Sequence, residues 1–219
     1  MTVSEATYLY AHEKDNQKLI NAHMINIPLE TTITSKKNVS DVGKIISRSE
    51  TKYDDATNLL ASSVLSYDLQ NNTVSTKVTY DQYDSKGNPE QYTTKDGIPV
   101  TIIWGYNQTF PIAKIEGAKL SDITQSLIDN IVIASNTDAA ASNSDETPFL
   151  SVLDNFRKDS SFYNYQITTY TYDPFIGVAS ITPPSGIREI YKYDSAKRLE
   201  KVMDVNGKVL KEFKYHYKN

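Results

Sequence analysis

The chain has 219 residues, 39% hydrophobic and 23% charged, with a formal net charge of −4. That length is enough to bury a core, and the acidic balance argues against a nucleic-acid partner, which needs a basic face. No cysteine is present, which excludes disulfides and thiolate metal sites, and no apolar run approaches the ~18 residues that would predict membrane insertion.

Tyrosine dominates the aromatic residues, with 16 Tyr against 6 Phe and 1 Trp. Its ring packs on a half-buried pleated surface while its hydroxyl reaches water, so the composition favours sheet. Residues 1–24 are polar, and Leu19, Ile20 and His23 hint at a short helix within His12–Met24. The first residues show no basic region followed by an apolar stretch, so no signal peptide is expected. From Ile25 the pattern turns to strands over 25–34, 44–53, 59–69 and 73–83, separated by turn residues such as Asp54-Asp55 and Asn71-Asn72.

Asp96-Gly97 separates the runs 91–94 and 98–106, and Asn206-Gly207 separates 199–203 and 208–217; each predicts a type I′ hairpin, as does Ser185-Gly186. The hairpins are related. Tyr83-Asp84 aligns with Tyr193-Asp194 at an offset that also places Asp96-Gly97 on Asn206-Gly207. Another copy starts at Tyr172-Asp173 and includes Gly177, so the chain reads as hairpin repeats.

Between the copies, residues 117–161 read as two amphipathic helices. Ser121-Asp122 is placed to cap a helix carrying Ile123, Leu127, Ile131 and Ala134. After the loop 136–144, Thr147 is expected to cap a second helix with Pro148 in its first turn and Phe149, Val152, Leu153 and Phe156 on one face. The expected fold is mainly β, a β-rich α+β arrangement. Successive antiparallel hairpins form a twisted sheet, and the two-helix insertion packs on it. The expected segments are 1–24, 25–116, 117–161 and 162–219, together one compact domain. The expected core is Ile102, Trp104, Ile112, Ile115, Ile123, Leu127, Ile131, Phe149, Leu153, Phe156, Ile181, Ile190, Leu199, Val202 and Val209.

The motif Tyr83-Asp84-x-x-Gly87-Asn88, its partner Tyr193-Asp194-x-x-x-Arg198-Leu199, and the stretches 103–116 and 171–182 resemble the YD-repeat or Rhs family, in a form similar to long Bacteroidetes proteins. The resemblance covers about residues 75–217 and implies a toxin-free portion of such a protein, because the Asp-Pro-x-Gly motif that precedes a toxin has wrong spacing at Asp173-Pro174-Phe175-Ile176-Gly177. It implies a secreted or cell-surface location and a structural or binding role. In the repeat, Asp is read as accepting backbone N–H bonds in its turn and Gly as taking positive φ. Lys197 stands where the second copy needs that glycine, so its turn is expected to be made differently.

Chemistry is sparse. No Gly-x-Ser-x-Gly elbow or phosphate-binding glycine loop is present, and His12, His23 and His216 are scattered. Asp81, Asp84 and Gly87 lack the alternate spacing of a calcium loop. No catalytic residue, metal or cofactor is therefore expected. The pairs Trp104 with Tyr106, Tyr170 with Tyr172, and Tyr191 with Tyr193 share a strand face by their spacing; each reads first as packing and second as a ligand platform, which keeps glycan recognition open. Cut from a longer array, hairpins expose edge strands, so the expected partners are upstream repeats, another protein, or a second copy.

Overall fold

The computed structural model describes residues 3–141 and 145–216; the last residues of the loop expected at 136–144 and the end of the strand expected at 208–217 lie outside them. The strands follow one another in chain order, and every described pairing is antiparallel. The mainly β expectation holds, with two packed helices. Where one compact domain was expected, the chain divides into two compact units, Met1–Gln82 with Tyr92–Ile98 and Tyr83–Gln91 with Pro99–Asn219. Each has its own apolar cluster.

The first unit carries β1 (Val3–Leu9), β2 (Glu30–Lys36), β3 (Lys44–Lys52), β4 (Ser63–Asp68) and most of β5 (Thr73–Tyr83). Strand β1 corrects the sequence reading, which gave residues 1–24 no strand. Its residues are mostly exposed on both faces, so no alternation marks it, and its full-length ladder from Val3↔Lys36 to Leu9↔Glu30 holds it. The helix expected over His12–Met24 is confined to α1 (Gln17–Asn21), capped by the Asn16 side chain, which accepts from Leu19 N–H at 3.1 Å. The strand expected from Ile25 begins at Glu30 instead, because the preceding residues cross the surface to bury Leu29 beside Leu19 and Ala11.

Directly opposed in the β2–β3 register are Glu30 and Glu50, exposed by only 5% and 4%. Two like charges there would repel. Lys14 Nζ lies 2.9 Å from Glu30 and 2.8 Å from Glu50, and Arg48 and Lys52 complete the pairing. The Tyr67 hydroxyl donates to Glu50 at 2.5 Å. Burial alone would raise the Glu50 carboxyl, but the hydrogen bonds from Lys14, Tyr67 and Lys52 outweigh it and bring it to about 2. This network fastens the α1 segment to the sheet.

The second unit contains β7 (Pro99–Gly105), β8 (Phe110–Glu116), β9 (Gln166–Asp173), β10 (Gly177–Thr182), β11 (Glu189–Tyr193), β12 (Leu199–Met203) and β13 (Val209–Glu212). Strand β6 (Pro89–Thr94) contributes its first residues to this unit and its last to the other. Two helices, α2 (Gln125–Ala140) and α3 (Thr147–Arg157), pack on β7, β8 and β9. Helix α2 starts after Thr124, not at Ser121-Asp122, which form a separate single turn with Leu120. Thr147 is the first residue of α3, with Glu146 ahead of it and Pro148 in the first turn.

Ile112, Ile115, Ile131, Phe149, Leu153 and Phe156 are buried as expected, each contributing about 1.5–3 kcal/mol on leaving water. Val209, placed in the core by the sequence, is 49% exposed. On β10 a bulge between Val178 and Ser180 shifts the alternation, so Ser180 and Thr182 are buried and Ile181 only half-buried. The buried hydroxyls are satisfied: Thr171 bonds Ser180 at 2.8 Å and donates to Glu146, while Thr101 donates to Ala118 O at 3.0 Å. Arg157, at the end of α3, donates to Ile167 O at 2.6 Å, Thr182 O at 3.0 Å and Pro183 O at 2.6 Å, clamping helix to sheet. At Gly105 an added Cβ would sit 2.7 Å from Ile112 Cγ2 and against Ser135 Oγ, so only glycine admits this approach of α2.

Candidate functional site

The repeat turns share one geometry. In the first copy Asp84 N–H donates to Asn88 O at 2.9 Å, and Gly87 N–H donates back to Asp84 O at 3.0 Å. The Asp84 Oδ1 accepts the Lys86 and Asn88 amides, each at 2.8 Å, and Oδ2 accepts Asn88 Nδ2 at 2.9 Å. Asp194 repeats this with the Ala196 and Arg198 amides at 2.8 and 3.0 Å, and Asp204 with Asn206 and Lys208, each at 2.9 Å. Burial raises the Asp84 carboxyl, but its bonds to Asn88 and the turn amides outweigh that and hold it below the usual aspartate range; Asp194 is held low first by the Arg198 guanidinium, which donates to Oδ2 at 2.8 Å, and then by the turn amides.

The type I′ expectation for Asp96-Gly97 and Asn206-Gly207 is therefore corrected. Only the glycines take positive φ, 76° and 81°; Asp96 and Asn206 do not. Each loop is a three-residue turn closed by one left-handed residue, with the preceding side chain bonding the loop amides; Thr94 Oγ1 does this for Ile98 N–H at 3.2 Å. Ser185-Gly186 is likewise a turn with positive φ at the glycine alone, 78°. The second copy's turn is not made differently: Lys197 adopts φ 59° in the glycine place. Tyr67-Asp68, followed by Asn72 at φ 51°, behaves as another Tyr-Asp turn that the sequence reading passed over. In the Tyr172-Asp173 copy, Asp173 accepts the Phe175 amide at 3.0 Å. Gly177 has φ 148° and lies under Tyr193, whose hydroxyl would be 3.1 Å from an added Cβ and donates to Val178 O at 2.9 Å.

Trp104 and Tyr106 do not share a face, whereas Tyr170 and Tyr172 pack against one apolar cluster. Strand β7 ends at Gly105, and Tyr106 turns left-handed with φ 50°, so it leaves the alternation that Trp104 follows. Tyr106 is 3% exposed, edge-on to Phe110, Phe149 and Tyr172. Its hydroxyl donates to Asp138 at 2.9 Å and accepts the Tyr172 amide at 2.9 Å. Burial pushes the Tyr106 phenol far up and the buried Tyr172 phenol up to about 12. Tyr170 packs against the same cluster. Tyr191 donates to Glu189 at 2.9 Å, and burial together with that bond raises it to about 12. The sequence thus names six aromatic candidates, and of these Trp104 lines an open cavity.

That cavity, about 450 Å³, lies within the second unit beside α2, a size typical of ligand pockets. Trp104 forms one wall, its ring fixed by the indole N–H donating to Pro89 O at 2.9 Å. Ile102, Ile128 and Val132 add apolar surface, while Glu90, Gln125, Asp129 and Asn136 supply polar groups. Tyr106, Asn107 and Gln108 form a left-handed turn with φ 50°, 57° and 60°, closed by Thr109 N–H donating to Gly105 O at 2.9 Å. Such residues each cost about 1–2 kcal/mol. Helix α2 offsets the strain: Ser135 Oγ accepts the Tyr106 amide at 3.2 Å and Asn136 Oδ1 the Asn107 amide at 2.7 Å. The turn thereby holds Asn107 and Gln108 at the cavity. Burial, then the nearby Asp84 charge, raises the Glu90 carboxyl. No linear pattern in the sequence marks Glu90, Asp129 or Asn136, since they converge from β6 and α2 only in the fold.

Among the described residues no cluster of His, Asp and Glu is placed to hold a metal ion, and no described helix is long and apolar enough to cross a membrane. No protein-family model and no curated protein matches the chain. Solved structures do match at low identity. One is a crystal structure of TcdB2-TccC3 without its hypervariable C-terminal region, 13% identical with a TM-score of 0.38, covering 84% of this chain and 9% of that one. Another, TcdB2-TccC3, is 11% identical with a TM-score of 0.38, covering 96% and 12%. The Photorhabdus luminescens Tc holotoxin pore is 12% identical with a TM-score of 0.35, covering 95% and 11%. The chain thus spans about a tenth of the length of these proteins.

Proposed function

We propose that the chain is a non-catalytic structural and interaction module of the YD-repeat type, part of a secreted or cell-surface protein of the Bacteroidetes-like form. It engages further repeats, another protein or a second copy of itself by strand addition, and the second copy is the partner the purified chain can show. The observation that carries this reading is the edge strand β13. Among the described residues it neighbours only β12, all four of its residues are exposed, and apolar Val209, Leu210 and Phe213 lie open along it. An unpaired strand edge is a template for another chain.

Lys211 lies in that edge and Lys208 and Lys214 flank it, against a single acidic residue, Glu212, which pairs with Lys214 at 3.3 Å; the net positive charge holds two identical edges apart until salt screens it. Sedimentation velocity at high ionic strength is therefore the test. The wild type is expected to associate reversibly with rising concentration, and Leu210→Pro, which removes an amide from the edge strand, to stay monomeric. A wild type that is monomeric at every concentration and salt level contradicts the proposal. The alternative of a toxin-free Rhs carrier component rests on the resemblance alone. Glycan recognition is favoured by a separate observation, the cavity beside Trp104.

A further inference from the structure

We infer that the cavity walled by Trp104 is a saccharide-binding site that takes a neutral pyranose unit, with Glu90, Asp129, Asn107 and Gln108 as its hydrogen-bonding groups. This deepens the glycan reading and is independent of strand addition at β13.

The chemistry matches that ligand on two counts. A sugar ring presents an apolar C–H face and a rim of hydroxyls, which are both donors and acceptors. The cavity offers an indole ring whose N–H is already satisfied by Pro89 O at 2.9 Å, with Ile102 and Val132 beside it. An aromatic ring with its polar end occupied presents mainly its apolar body. The polar groups are carboxylates and amides; the Lys86 ammonium at the same wall is already bonded to Asn107 O, and the Asp84 carboxylate is taken up by its own turn, which leaves Glu90 and Asp129 as the acceptors for ligand hydroxyls. Asp129 uses Oδ1 to accept Gln125 Nε2 at 2.9 Å, and Asn136 uses Oδ1 for the Asn107 amide at 2.7 Å. Among the described residues, the other Asp129 oxygen and the Asn136 amide nitrogen have no hydrogen-bond partner.

Preorganisation is the second argument. Asn107 and Gln108 sit in consecutive left-handed residues, a conformation that L-residues avoid and that α2 holds in place. Lys86 reaches across to Asn107 O, and Asn88 Nδ2 donates to Gln108 O at 3.0 Å, tying the repeat turn at Asp84 to the same wall. The repeat turn, the strained turn and the helix thus fix the cavity before any ligand arrives. Fixed groups reduce the ordering cost of binding. Glu90 lies inside with its carboxyl raised by burial, in line with a group awaiting a hydroxyl donor.

Trp104 is the chain's only tryptophan among 16 tyrosines, so emission excited to the red of the tyrosine band reports on this cavity. The test titrates the purified chain with glucose, galactose, mannose and N-acetylglucosamine oligosaccharides and follows Trp104 emission. At least one is expected to give a saturable shift, with affinity weakened about tenfold or more in Glu90→Gln and in Asp129→Asn, each a near-isosteric change. Asp129 is exposed, so its variant keeps the fold, which circular dichroism checks. No saturable shift with any of these sugars overturns the inference. So does unchanged affinity in both variants, or a response confined to lysine-rich peptides that salt abolishes. Association through β13 is read in a separate assay, so either result leaves that proposal standing or falling on its own.

Discussion

Replacing Gly207 with alanine and Lys197 with glycine perturbs the same turn geometry in opposite directions. Gly207 has φ 81° and Lys197 φ 59°, and both close a three-residue loop after an aspartate. A Cβ at Gly207 meets nothing within 4 Å, so the substitution carries no steric clash. The cost is the left-handed backbone, about 1–2 kcal/mol, less about 0.4–1 kcal/mol recovered because alanine restricts the unfolded chain. Gly207→Ala is therefore expected to destabilise by about 0.5–1 kcal/mol. Lys197→Gly reverses the balance and is expected to stabilise by a similar amount, because the Lys197 ammonium makes only a long 3.3 Å exposed bond to Phe175 O. For a protein of this size, that is about 1–4 °C in Tm in each direction. Both sites lie in the second unit, so one thermal transition reports on both. If Gly207→Ala is neutral while Lys197→Gly destabilises, the shared turn geometry is wrong.

The remaining predictions concern buried polar groups. The Glu50 carboxyl is held at about 2 in the fold, so its stabilising contribution is present above its unfolded value near 4.5 and is lost as pH falls through about 2, roughly 3 kcal/mol in all. An acid titration followed by circular dichroism should show the first unit melting in that window, and Lys14→Met should move the midpoint to higher pH. Tyr106→Phe removes the hydroxyl that bonds Asp138 and accepts the Tyr172 amide. It leaves that amide buried without its partner, which should cost about 1–3 kcal/mol in urea unfolding, whereas a loss under about 0.5 kcal/mol would contradict the placement of Tyr106 in the core.

Much of the architecture was legible because hairpin repeats write themselves locally. Asp84 and Asp194 precede their turns by fixed spacing, and the glycines mark where positive φ falls. The helices were legible through Phe149, Leu153 and Phe156, which recur at helical spacing and are buried together. What failed has physical causes. Asp-Gly and Asn-Gly fit two turn classes, and the choice lies with a side chain residues earlier, such as Asp204. Strand β1 buries almost nothing, so no pattern revealed it. The bulge in β10 flipped which residues face the helices. The cavity was legible only through Trp104. Tyr106 left the platform because the chain turns left-handed after Gly105, supported by Ser135 and Asn136, which are distant in sequence.

Amide hydrogen exchange of Val209–Glu212, at low and high protein concentration in high salt, tests the interaction role most directly. Strand addition predicts slowed exchange on concentration that is confined to β13 and absent in Leu210→Pro. Exchange that is unchanged there, or protection that arises only on strands remote from β13, would contradict it.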